Sequence, residues 1–171
     1  MMQFLILAII LITIQRTLGQ GELTPNPTDC QDAFTTSAPF EGKVFLYPWR
    51  TEDRKGDWYY NRAYCAKHCA EMVTLHNEAE NNFFYNFIYQ VGMRPNGVWL
   101  GAQVRDRNRF THWHNNEVAT YQPMMPGEYN EPGLTCVDMS FFPGERKWRN
   151  WYCAGYEQST NHHIACQRKQ S

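Results

Sequence analysis

The chain has 171 residues with 16 basic and 17 acidic side chains, and its aromatic complement is ten Tyr, ten Phe and six Trp. So balanced a charge gives no long-range pull toward nucleic acid or an anionic membrane surface. The length suits one domain with a core of its own, and large rings that are polar at one edge serve packed interiors and wet binding surfaces alike.

At the N-terminus Phe4 to Ile14 form an apolar run broken only by Thr13, followed by Gln15, Arg16 and Thr17. That run is shorter than the roughly 20 apolar residues a bilayer crossing needs, and small Gly19 follows it. Residues 1–19 are therefore expected to be a signal peptide removed on export, even though no basic residue precedes the run. No second apolar stretch of membrane length follows, so no membrane span is expected in the mature chain.

Residues 20–40 are rich in Thr, Pro and Ser and read as an extended N-terminal arm. Val44 to Tyr47 has the make-up of a short strand ended by Pro48. Trp58 to Ala70 reads as a helix with Trp58, Cys65, Cys69 and Met72 tending to one face. Asn77-Glu78 then supplies a helix start with acids in its first turn, and Phe84, Phe87, Ile88 and Val91 follow at helical spacing before Gly92. The acids Glu78 and Glu80 suit the helix dipole and need no catalytic role.

Beyond Pro95-Asn96-Gly97 the pattern turns to short strand-like pieces at Val98–Gln103, Phe110–Trp113, Thr135–Phe141, Lys147–Trp151 and His163–Gln167, separated by Gly, Pro and Asn. Helices first and strands later make the class α+β. Tyr121 to Gly133 is an irregular segment rich in proline and glycine, and long irregular loops in a compact domain usually carry function. No internal repeat is present.

All six cysteines lie beyond the leader, and in an exported chain they are read first as three disulfides. The alternative, zinc at Cys65, His68 and Cys69, lacks a matching second ligand pair. The pairs His112 with His114 and His162 with His163 likewise lack a nearby third ligand and read as surface or hydrogen-bonded residues. No nucleophile-and-base motif, phosphate loop or paired-carboxylate cleft signature is recognisable, so the expected activity is binding and not catalysis.

Helical Cys65, the Asn77-Glu78-Ala79-Glu80-Asn81 helix start, Trp99-Leu100-Gly101, Phe110-Thr111-His112-Trp113, Val118 to Tyr121, and then Cys136, Trp148, Cys153 and Cys166 occur in one order. In order and spacing they resemble a C-type lectin-like domain, over about Glu41 to Lys169. The resemblance implies two helices and two small antiparallel sheets with a long irregular ligand-binding loop. It implies bridges Cys65–Cys166 and Cys136–Cys153. Cys30 and Cys69 fall outside that framework, and a third bridge between them is expected to tie the arm of residues 20–40 to the domain of residues 41–169. Trp99 and Trp113 fit the core of such a fold.

In family members that hold sugar through calcium, a Glu-Pro-Asn or Gln-Pro-Asp triplet in the loop and a Trp-Asn-Asp triplet on a later strand supply oxygen ligands, of which calcium takes six to eight. Here the first resembles Glu128-Tyr129-Asn130, with Tyr129 in place of the proline that most easily holds a cis peptide. The second resembles Trp148-Arg149-Asn150, in which an amide has become a guanidinium and a carboxylate an amide. Arginine has no acceptor and stays charged, so it repels a divalent cation.

The remaining calcium candidates are Glu128, Asn130, Glu131 and Asn150, and no cofactor is expected. Arg149 could instead replace the ion by pairing with Glu128 or Glu131, or lie solvated without a partner. The expected binding face is Glu128, Tyr129, Asn130, Glu131, Trp148, Arg149 and Asn150, with Tyr129 and Trp151 able to stack on a sugar ring. The resemblance therefore implies a secreted protein that recognises glycans or glycoproteins, in extracellular or innate-immune recognition, with weak or no calcium dependence. The alternative is a calcium-independent lectin-like module for a protein ligand, as in a toxin, inhibitor or adhesion component. A matrix protein is disfavoured by the lack of repeats, and the sequence leaves the oligomeric state open.

Overall fold

The computed structural model describes residues 30, 34–91, 95–105, 109–127, 133–142, 145–155 and 160–170. The expected leader and the start of the N-terminal arm lie outside them. Strands β1 (Phe34–Thr36), β2 (Lys43–Pro48), β3 (Glu71–Met72) and β7 (Cys166–Lys169) form one antiparallel sheet in the order β1-β2-β7-β3. Strands β4 (Gly97–Arg105), β5 (Leu134–Ser140) and β6 (Trp148–Tyr152) form a second, also antiparallel. Helices α1 (Trp58–Lys67) and α2 (Glu78–Gln90) lie between β2 and β4 in the chain.

Helix α1 begins where the Asp57 carboxylate accepts a hydrogen bond from the Tyr60 amide, satisfying one of the orphan donors of the first turn. It stops at Lys67, three residues short of the expected end. Cys69, expected on the inward face of a longer helix, instead sits past the helix end at φ 53° and is exposed. That turn lets Cys69 bond to Cys30. Helix α2 is capped by Asn77, whose side chain accepts from the Glu80 amide, and it buries Phe84, Phe87 and Ile88. Glu80 turns inward, its carboxylate 2.8 Å from buried Lys43 and accepting from the His76 amide.

Two groups of buried side chains fill the interior. One joins α2 to strands of both sheets through Phe45, Phe84, Ile88, Leu100, Trp113 and Trp148. The other joins α1 to both sheets through Trp58, Met72, Trp99 and Ile164. Bridges Cys65–Cys166 and Cys136–Cys153 cross the second group, so all three expected pairings are present. Phe110 to Trp113, expected as a strand, contributes only the isolated bridge between His112 and Val118. Its Trp113 amide bonds instead to the carbonyl of Glu117 in a tight turn.

Candidate functional site

Strand periodicity divides the second triplet. On β6, Trp148 and Asn150 point into the protein, at 0% and 3% exposure, while Arg149 and Trp151 point to the other side. Trp148 is a core residue: its indole N–H donates to Asn81, and its ring meets those of Trp113 and Tyr121 edge-on. Its backbone pairs with the irregular segment, the Trp148 amide donating to Pro123 and the Met125 amide to Trp148. Asn150 is buried, so it offers no ligand atom at the surface. Glu128, Tyr129, Asn130 and Glu131 lie outside the described residues.

Arg149 has a partner that sequence reasoning missed. Its Nη2 lies 2.5 Å and its Nε 3.2 Å from the two carboxylate oxygens of Asp138 on the neighbouring strand, and Nη2 also donates to the Asn96 carbonyl at 2.9 Å. Arg149 thus forms a fork across the sheet and is not a solvated arginine without a partner, while Glu128 and Glu131, its other expected partners, lie outside the described residues. Asp138 is wholly buried, and His162 Nε2 lies 3.0 Å from the same carboxylate. Register dictates the pair, because β5 and β6 place Asp138 opposite Arg149 on one face. Gly97 lets the cluster close, since a Cβ there would collide with the Asp138 carboxylate, His162 and the Arg149 guanidinium.

The neighbouring histidines are structural, and His163 titrates below its ordinary range. The His162 ring stacks on Trp99 at 4.3 Å between centroids. The His163 backbone ties to β4, its amide donating to Gly97 and its carbonyl accepting from Trp99, while Lys55 bridges to it from the other side. Burial first, then the charges of Lys55, Arg54 and His162, pushes the His163 imidazole down to about 4. It is neutral at physiological pH, with Nδ1 2.5 Å from the Tyr47 hydroxyl. The Tyr47 phenol, raised to about 12 mainly by burial, keeps its proton. His112 is exposed, and no group of three metal-ligating side chains occurs among the described residues.

These residues form the wall of a cleft of about 540 Å³ lined by Lys55, Asn96, Phe142, Arg149, Trp151 and the segment Asn161–His163. None of its described lining residues is acidic. The Arg149 guanidinium lies over the Phe142 ring at 5.4 Å, and Phe142 is 49% exposed. The cleft thus combines fixed positive charge with exposed aromatic surface.

A family model, the lectin C-type domain, matches residues 54–168. The chain belongs to the C-type lectin domain family. Mouse lithostathine-1 is 29% identical to this lectin-type chain over 105 residues, covering 60% of the chain and 63% of that protein, so the chain spans less than two thirds of the length of this relative. The human lithostathine crystal structure superposes with a TM-score of 0.65 at 21% identity, covering 88% of this chain and all of that one. The structure of SPL-2 from Saxidomus purpuratus, a Ca2+-independent C-type lectin, superposes at 0.60 with 20% identity, covering 84% and 96%. At these identities the two structures establish the C-type lectin fold.

Proposed function

We propose that this C-type lectin domain is secreted and recognises glycans in extracellular or innate-immune defence without requiring calcium. The observation that carries the reading is the state of Trp148-Arg149-Asn150. The first is core, the second is a cation committed to Asp138, and the third is a buried amide, so the strand offers calcium no accessible carboxylate. A site for this hard cation needs several oxygens and usually acidic ones. The name of SPL-2 as a Ca2+-independent lectin supports the same reading for a chain of this fold. Export is supported by the three disulfides, which persist in oxidising compartments. Among the described residues no helix is long and apolar enough to cross a membrane.

The test is a glycan array probed in calcium and again in chelator, with melting curves under both conditions. Binding that survives chelation, with an unchanged melting temperature, is the expected outcome. A calcium-dependent rise in melting temperature would overturn the calcium-free assignment, and an array silent under both conditions would favour a protein ligand.

A further inference from the structure

We propose that the cleft between Lys55, Arg149 and Trp151 is a subsite for a sugar residue bearing a carboxylate. The proposal deepens the glycan-binding reading and rests on it. The cleft lies on the Arg149 and Trp151 side of β6, opposite the side of Trp148 and Asn150. Its volume, about 540 Å³, falls within the range of small-ligand clefts.

Charge selects the ligand class. Arg149 and Lys55 bring two positive charges, and the buried Asp138 carboxylate offsets one of them by pairing with Arg149. His163 stays neutral. Lys55 is exposed and has no hydrogen bond or ion pair to any described residue, so its ammonium is the group left to meet an incoming anion. An ammonium to carboxylate hydrogen bond is among the stronger polar contacts available to a protein. Arg149, held by Asp138 and the Asn96 carbonyl, lines the cleft without needing to move.

Shape and dispersion select a ring. Phe142 and Trp151 present aromatic surface at the cleft, suited to the apolar face of a pyranose. The Trp151 indole N–H is shielded from water and has no acceptor among the described residues. Such a donor is costly to leave unmet, and a ligand oxygen entering beside the ring would meet it after a small turn of the side chain. The amide of Asn96 stands at the same cleft, within reach of hydroxyl groups.

Methyl β-glucuronide and methyl α-sialoside distinguish the two common sources of a sugar carboxylate, with methyl β-glucoside as the neutral control. Each is titrated into the full domain while the six tryptophan indole resonances are followed by NMR, Trp151→Phe identifying its own peak. At least one acidic sugar is expected to bind about tenfold more tightly than the glucoside, a difference of about 1.4 kcal/mol, and to move the Trp151 indole resonance. Lys55→Ala, at an exposed position that leaves the melting temperature unchanged, is expected to erase that preference, and so is 0.5 M salt, at which charge interactions are screened within a few ångströms. The proposal falls if neither acidic sugar exceeds the glucoside, or if the preference survives Lys55→Ala. If neutral glycans bind and Lys55→Ala changes nothing, the lectin reading stands without this subsite. If no sugar of either charge binds here or on the array, both readings fall.

Discussion

Neutralising Asp138 tests the central strut of the site. In Asp138→Asn one carboxylate disappears from a position with no exposure, and the Arg149 side chain, 14% exposed, loses its counterion and one of three acceptor atoms. Breaking a buried ion pair by removing one partner costs about 3–5 kcal/mol because the remaining charge is left uncompensated. A domain of this size shifts by roughly 2–4 °C per kcal/mol, so the melting temperature should fall by about 6–20 °C. Urea unfolding with the disulfides intact supplies the free energy, and an unchanged slope would show that the denatured state is unaltered. The paired replacement Asp138→Leu with Arg149→Met should recover most of the loss, since an apolar pair of similar volume carries no stranded charge. A single variant that loses less than about 1 kcal/mol, within the range of surface ion pairs, would refute the reasoning. A double variant as unstable as the single one would place the cost in packing around Gly97 instead.

Two further outcomes follow from the same structure. His163 has its folded value near 4 against about 6.5 when unfolded. The unfolded chain therefore binds more protons between those values, and stability that is full above pH 6.5 is lost as pH falls toward 4, by about 3 kcal/mol from this group. His114, also lowered chiefly by burial, acts in the same direction. Burial alone would raise Glu117, but hydrogen bonds from Lys169, Asn115 and His76 outweigh it and hold the carboxyl down to about 2. Its contribution is present above pH 4.5 and is lost as pH falls toward 2, so the two windows overlap only between about 4 and 4.5. Replacing His163 with Asn, which keeps an acceptor for Tyr47, should flatten the stability profile between pH 6.5 and 4 and leave the lower limb in place. Replacing both Cys30 and Cys69 with Ser opens a loop spanning a sequence separation of 39. Chain entropy alone sets that loss at about 4 kcal/mol, and equilibrium unfolding that shows no loss would mean the arm is held by β1 pairing alone.

Helix α2 was legible because its signals agree: the Asn77 cap, the acidic first turn and Phe84, Phe87 and Ile88 on one face all name the same segment. Strands β1 and β3 were not, since three and two residues carry no period to read. They exist because β2 and β7 present free edges, which Phe34–Thr36 and Glu71–Met72 cover. Phe110 and Trp113 imitated a strand because both rings are buried, although a turn between Trp113 and Glu117 brings them there. The last strand was expected from His163 but begins at Cys166. The backbone of His163 is already committed to Gly97 and Trp99, and that of Ile164 to Arg54.

The cleft was illegible for a different reason. Its residues come from segments near positions 55, 96, 142–151 and 161–163, and no local pattern announces that the chain will bring them together. Two signals were nonetheless visible in the sequence, the adjacent pair His162-His163 and the cation at Arg149, and each pointed to a metal question because it was weighed against a metal-binding pattern. The period of a strand supplies the missing step. Alternate side chains leave on opposite faces, so Trp148-Arg149-Asn150 cannot present three neighbouring groups to one ligand while the strand stays regular. With Trp148 fixed in the core, Asn150 must follow it inward and Arg149 must share the far face with Trp151, where register sets Asp138 beside it. Arg149 therefore sets its charge beside the aromatic rings of Phe142 and Trp151, on the face away from Trp148 and Asn150.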